Sequence, residues 1–237
     1  SSPWSVSQGQ IFTTVLSISN ASSGATANNV VPAVSVLAVP AFPIYLLSSP
    51  APNNATLTAG QLAKFTWTYS VGGTGFLSFT YTATSIDAVS NNPANGGPLN
   101  RTVTVQAPAI LQSSLSAPSA IASVGGKTTL FLSVSNTGGA SALVFPNTLV
   151  ESPGGDSSLF SVDPSSAVLA GGQNKTFTYV YNVLATGSVT FSGNAIGTDL
   201  HTNIPVSGGS TSVVIDFRNG AALSAAFLPG YPTLVST

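Results

Sequence analysis

"KFTWTYSVGGTGFLSFTYTATSID", residues 64–87, decides the fold, because a close copy, "TFTYVYNVLATGSVTFSGNAIGTD", returns at residues 176–199. At a constant offset of 112, Phe65 pairs with Phe177, Trp67 with Tyr179, Tyr69 with Tyr181, Gly75 with Gly187, Phe79 with Phe191 and Asp87 with Asp199. In both copies apolar side chains alternate with Thr, Ser and other small or polar residues. That period of two belongs to strands with one face buried.

Working outward, the rest of the chain falls into the same two units. "GQIFTTVLSISN" (residues 9–20) aligns with "GGKTTLFLSVSN" (125–136) at an offset of 116, and "VVP" (30–32) with "VFP" (144–146). "RTVTV" (101–105) matches "TSVVI" (211–215), so each unit closes on a similar strand. Units of roughly 110 residues, with about seven short strands separated by Gly, Asn, Pro and Ser turns, predict an all-β fold of two tandem immunoglobulin-like β-sandwiches. The expected domains are residues 1–106 and 107–218, followed by a tail, 219–237. No segment has the pattern of an amphipathic helix.

The repeat also exposes a mismatch at the two ends. "AILQSSLSAPSAIASVGG" (109–126) supplies the opening strand of the second unit, whereas only "SSPWSVSQ" precedes "GQIF" in the first. The tail "AALSAAFLPGYPTLVST" (221–237) follows the closing strand of the second unit, and at offset 112 Leu111 matches Leu223 and Leu115 matches Phe227. One residue of slippage pairs Pro118 with Pro229. The expectation is a first sandwich lacking most of its opening strand and a tail that is a spare copy of it.

Such a tail can complete the first sandwich of another copy by β-strand addition. Leu223, Ala225, Phe227, Tyr231 and Val235 share one parity and form the expected donor-strand interface, each large side chain contributing roughly 1.5–3 kcal/mol when fully buried. Fifteen extended residues reach roughly 50 Å, enough to cross a sandwich, and Pro229 and Pro232 interrupt the ladder because they cannot donate. Groove and tail at opposite ends make the contact head-to-tail, so identical subunits form an open polymer. Two alternatives stand beside this reading: the tail folds onto its own second unit or stays disordered, or "SSPWSVS", anchored by Trp4, is the donor.

Composition narrows the function classes. Five basic and six acidic residues give a net charge of −1, and only 5% of residues are charged. Nucleic acid finds no basic patch here, while 43% hydrophobic residues argue against disorder. Cys and Met are absent and the chain begins at Ser1, as expected of a processed, exported protein without disulfides. Six carboxylates leave little charge to be unbalanced by acid, so the fold should tolerate low pH. "VVPAVSVLAVPAFPIYLL" (30–47) carries no charge, but Pro32, Pro40 and Pro43 and its Val content favour strands over a membrane span.

Four N-x-S/T sequons, at Asn20, Asn54, Asn100 and Asn174, are candidate N-glycosylation sites whose glycans would hydrate a surface poor in charge. No cofactor, metal site or catalytic residue is expected. His201, the single histidine, reads as a solvated turn residue near Asp199, and no "GxSxG" elbow accompanies it. "DSSLFSVD" (156–163) offers two carboxylates to calcium but reads more simply as a solvated loop. The Gly-Gly pairs, Gly96–Gly97 included, read as turns, and Lys64 and Lys175 as equivalent exposed lysines at strand starts rather than isopeptide donors.

Two-unit plan, Ser/Thr-rich composition, sequons and spare strand together resemble the glycosylated thread filaments on the surface of thermoacidophilic archaea. Their two-domain immunoglobulin-like subunits are linked by donor-strand complementation, in plan similar to bacterial chaperone–usher pilins. The resemblance implies a non-enzymatic subunit of an extracellular cell-surface fibre serving adhesion or community formation. The alternative is a monomeric adhesin or carbohydrate-binding module presenting Trp4 or Trp67 to sugar.

Overall fold

Alternation in the sequence becomes the pleat of the sheets. In "LAKFTWTYSV" the side chains of Phe65, Trp67, Tyr69 and Val71 are buried, and those of Lys64, Thr66, Thr68 and Ser70 are not. The computed structural model describes residues 4–152 and 156–226, so Phe227, Tyr231 and Val235 lie outside the described residues. Residues 4–106 form β1 (Trp4–Ser7), β2 (Ile11–Ser19), β3 (Ala27–Val39), β4 (Ile44–Ala51), β5 (Ala55–Leu57), β6 (Leu62–Val71), β7 (Gly75–Asp87) and β8 (Pro93–Gln106). Residues 111–218 form β9 (Leu111–Ser116), β10 (Ile121–Ser123), β11 (Lys127–Asn136), β12 (Ala142–Pro146), β13 (Val150–Glu151), β14 (Asp156–Asp163), β15 (Ala167–Leu169), β16 (Asn174–Ala185), β17 (Gly187–Gly193), β18 (Ala195–Asp199), β19 (Pro205–Ser207) and β20 (Thr211–Arg218).

In the later part, one sheet runs β9-β11-β16-β14. Two further ladders, β10-β20-β17-β13 and β15-β12-β18-β19, follow one another along the chain at Asn194, where β17 gives way to β18. That order matches the constant-type immunoglobulin arrangement of four strands facing three, with an extra short strand on the closing strand. The earlier part has the ladders β2-β6-β4 and β1-β8-β7-β3-β5. Among the described residues each ladder draws its strands from one side of residues 107–110. Hydrophobic burial divides in the same way, into a cluster from Val6 to Val105 around Phe65, Trp67 and Phe79, and one from Ala109 to Phe217 around Tyr179, Phe177 and Phe191.

Aromatic packing repeats along with the sequence. Tyr69 meets Phe79 edge-on at 5.3 Å between ring centroids, and Tyr181 meets Phe191 at 4.8 Å. Such ring pairs add roughly 0.5–1.5 kcal/mol beyond area burial. Asn91 and Asn203, 112 residues apart, both adopt left-handed backbone (φ 55° and 58°), and each donates its N–H to the carbonyl of Asp87 or Asp199 in a matching turn. Asn tolerates this region because its short polar side chain bonds locally.

Several expectations change. The opening segment of the later unit is not one strand: β9 pairs antiparallel with β11, and β10 crosses to pair parallel with β20. In the earlier unit β1 pairs parallel with β8 of its own chain, which is the place of β10. The described part of "SSPWSVS", residues 4–7, is therefore engaged at home, against its reading as a donor for another molecule. Residues 156–163 are strand β14 on β16, not a loop. Gly96–Gly97 is not a turn but lies inside β8, where Gly97 at φ 91° makes the register shift between Tyr81 and Ala83. A Cβ there would lie 2.6 Å from the carbonyl oxygen of Tyr81, so only glycine fits that bulge. The apolar stretch 30–47 is divided between β3 and β4, and no described helix is long and apolar enough to cross a membrane.

Among the described residues the last buried side chain of either cluster is Phe217. Residues 221–226 join no strand and are exposed, Leu223 fully so at 100%. A chain ending at Asn219 therefore keeps every buried side chain of both clusters.

Candidate functional site

The seat of β9 in the later unit defines what the equivalent place in the earlier unit can hold. Ala109, Leu111 and Leu115 point into the core and are buried. The strand lies in register on β11, from Leu111 opposite Asn136 to Ser116 opposite Phe131. Its other flank is tied to the closing region, Ser113 N–H donating to Gly208 O (2.8 Å) and Leu115 N–H to Thr211 Oγ1 (3.1 Å). Two side chains hold its entrance. Asp199 Oδ2 accepts from Ala109 N–H (2.7 Å), and Asn136 Oδ1 accepts from Ile110 N–H (3.2 Å). Gly138 completes the entrance: a Cβ at that position would collide with the carbonyl of Pro108.

In the earlier unit β2 takes the place of β11, with β6 on one side. Among the described residues no strand pairs with its other edge. Beside that edge the sandwich is open along its length. Three adjoining cavities of about 160, 220 and 300 Å³ run from Asn20 and Leu57, past Leu16, Ile18 and Ala83, to Thr14, Tyr81 and Arg101. Ile18 is half-buried here, whereas its counterpart Val134 under β9 is wholly buried. Burial pushes the phenol of Tyr81 up, and the neighbouring Thr14 hydroxyl and the charge of Arg101 act the other way.

The residues that correspond to the two entrance groups, Asn20 and Asp87, are held in the same way, and Asn20 lines the groove. Asn20 Nδ2 donates to Ala25 O (2.7 Å) and Leu57 O (2.9 Å), just as Asn136 Nδ2 donates to Ala140 O (2.7 Å) and Leu169 O (3.0 Å). Asp87 Oδ1 accepts from Val89 N–H (2.9 Å) and Ser90 N–H (2.8 Å), as Asp199 Oδ1 does from His201 (2.8 Å) and Thr202 (3.0 Å). The N–H groups of Ser90 and Val89 hold the Asp87 carboxyl below its ordinary range. In the sequence Asn20 reads only as a sequon and Asp87 only as a repeated residue. The signal was there in the pairing of Asp87 with Asp199 and of Asn20 with Asn136, but nothing said what they bind until β9 was seen on their partners.

The remaining candidates are scattered. Asn54, in the turn before β5, Asn100, in β8, and Asn174, at the start of β16, are exposed, while Asn20 is half-buried. Trp67 is 2% exposed and packs on Tyr81 at 5.6 Å, so it has no face for a sugar. His201 lies in the turn after Asp199, its Nδ1 enclosed without a hydrogen-bond partner. Among the described residues no group of His, Asp and Glu is arranged to hold a metal ion. Lys64 and Lys175 are exposed near the starts of β6 and β16.

No protein-family model and no curated protein matches this sequence. Among solved structures the chain is similar to the C-terminal domain of the Streptococcus agalactiae AgI/II polypeptide BspA, at 10% identity over 90% of this chain and 95% of that one, TM-score 0.33. It is likewise similar to fibronectin(III)-like modules of Clostridium thermocellum CbhA, at 11% identity over 94% and 95%, TM-score 0.33. A PapD-like domain of human CEP192 matches at 8% identity over 45% of this chain and 87% of that one, TM-score 0.33. These are likenesses of β-architecture, and no function follows from them.

Asp199 ties the stability of the later unit to pH. Burial pushes its carboxyl up, but the N–H groups of Ala109, Thr202 and His201 outweigh that and hold it below the usual carboxylate range. A carboxyl held below its unfolded value of about 3.9 stabilises the fold fully above that pH, and the stabilisation is lost as pH falls through the depressed folded value. Asp199→Asn is expected to lower stability at neutral pH by about 1–3 kcal/mol. The gap in melting temperature between variant and parent should then narrow below about pH 4; a gap independent of pH down to 2 contradicts this.

Proposed function

We propose that this chain is a non-enzymatic structural subunit of an extracellular, glycosylated filament, in which residues 221–237 of one copy fill the groove beside β2 of the next. One observation carries the reading: an open edge with an apolar groove in one unit, and a tail repeating the strand that closes the same edge in the other. At offset 112, Ala221, Leu223, Ala225 and Phe227 stand for Ala109, Leu111, Ser113 and Leu115. Leu115 lies opposite Leu132 on β11, whose counterpart on β2 is Leu16, so Phe227 takes its place opposite Leu16.

Energetics favour a durable contact. Burying Leu223 and Phe227 contributes roughly 1.5–3 kcal/mol each, and the ladder hydrogen bonds on β2 about 0.5–1.5 kcal/mol each. Ordering the strand opposes this by about 1–2 kcal/mol per residue. The contact joins different surfaces of identical chains, so it propagates head-to-tail as a fibre and serves adhesion or biofilm formation. It agrees with the thread-filament plan that the sequence resembles. The alternative of a monomeric sugar-binding adhesin loses Trp67, which is sealed in the core.

Ending the chain at Asn219 tests the proposal. Electron microscopy and solution size measurement should show folded monomers and no filaments, with an unchanged melting transition for the later unit; filaments of normal length from the shortened chain defeat the reading.

Glycan attachment replaces one hydrogen of the asparagine amide. Both hydrogens of Asn20 Nδ2 are spent on Ala25 and Leu57, whereas Asn54, Asn100 and Asn174 are exposed. Glycopeptide mass spectrometry of native material is expected to find sugar at the last three and unmodified Asn20. Stoichiometric sugar at Asn20 contradicts the assignment.

A further inference from the structure

Resting on the donor-strand reading, we infer that Asp87 and Asn20 fix the register of the incoming strand, Asp87 Oδ2 accepting the N–H of Ala221 and Asn20 Oδ1 the N–H of Ala222. A flat groove and an alternating strand do not choose between registers two residues apart, because such a slip keeps the same face inward. The tail is rich in alanine, with Ala221, Ala222, Ala225 and Ala226, so side-chain shape alone discriminates weakly. A fixed hydrogen-bond acceptor at the groove's end supplies the missing constraint.

The later unit shows such a device built within one chain. Ala109 and Ile110 are the two residues that precede β9, and their N–H groups end on Asp199 Oδ2 and Asn136 Oδ1. Ala221 and Ala222 occupy those positions at offset 112, and Asp87 and Asn20 occupy the acceptor positions. The acceptors are held the same way in both units. Each aspartate commits Oδ1 to the two N–H groups of its own turn, and each asparagine commits its Nδ2 to two backbone carbonyls. In the later unit the orientation so fixed presents Oδ2 of the aspartate and Oδ1 of the asparagine to the entering strand. The role also accounts for Asn20 within a sequon: its Oδ1 belongs to the strand and its Nδ2 to the loop.

A hydrogen bond to a carboxylate exceeds a neutral one and falls off steeply with geometry. It therefore rewards one register and penalises its neighbours, which leave the aspartate facing no donor.

The test uses the chain ending at Asn219, which keeps every described buried side chain of both clusters, and a fluorescent peptide of residues 220–237. Three peptides are compared by fluorescence anisotropy: unmodified, N-methylated at Ala221 and N-methylated at Ala222. Each methylation should weaken binding about ten- to a hundredfold on the parent chain. On Asp87→Ala the unmodified peptide should be weakened similarly, and methylation of Ala221 should cost no more than about twofold further. Asp87→Asn is the second variant should the alanine chain lose its turn; an amide hydrogen facing Ala221 must also abolish the coupling.

Binding of the unmodified peptide with equal methylation penalties on parent and variant overturns the register role and leaves donor-strand insertion standing. Methylation at Ala222 without effect removes Asn20 from it. Failure of the unmodified peptide to bind overturns both, since the inference presupposes insertion.

Discussion

The outer edge of β2 is the constraint on which the rest of the molecule turns. On β11, its counterpart, the same edge is covered by β9, and the side chains of Ala109, Leu111 and Leu115 seal the sandwich beneath it. On β2 the backbone groups along that edge have no strand partner among the described residues, and Leu16 and Ile18 line open cavities. Unpaired backbone beside apolar surface is what proteins otherwise cover, charge or twist away. This chain has almost no charge with which to defend it, with only 5% of residues ionised. In the proposed filament a strand from the next copy covers this edge, and the repeat marks residues 221–237 as its source.

Low charge also shapes the way the surface and the fold meet acid. Among the six acidic residues, Asp87 and Asp199 are held below their ordinary range by backbone N–H groups. Both close the same kind of turn, and Asp199 stands at the entrance that the opening segment uses. These two carboxylates therefore serve local backbone geometry, and the broad surface relies on hydroxyls and, in the proposed filament, on sugar.

Much of the fold was legible in the sequence because the repeat tied two halves together and alternation marked the strands. Phe65, Trp67 and Tyr69 read as one buried face and are one. What escaped the sequence has physical causes. The crossing of the opening segment from β9 on one sheet to β10 on the other is a tertiary choice of partner, invisible to a period of two. Gly96–Gly97 looked like a turn because glycine marks both turns and bulges, and only the register shift against β7 distinguishes them. Residues 156–163 read as a loop for their Asp and Ser content; pairing with Tyr179 and Tyr181 on β16 made them a strand. The acceptor roles proposed for Asp87 and Asn20 needed a second copy of the fold with its strand in place.

Absence of cysteine from the whole chain allows the central claim to be measured directly. On the repeat, Ala225 stands where Ser113 faces Val134, and Val134 corresponds to Ile18. The full chain carrying Ile18→Cys and Ala225→Cys is assembled, oxidised and run on a denaturing gel without reductant. Insertion of the tail into the next copy predicts a ladder of covalent multimers that collapses to one band on reduction. A band of single chains alone, under conditions in which filaments are visible, contradicts it.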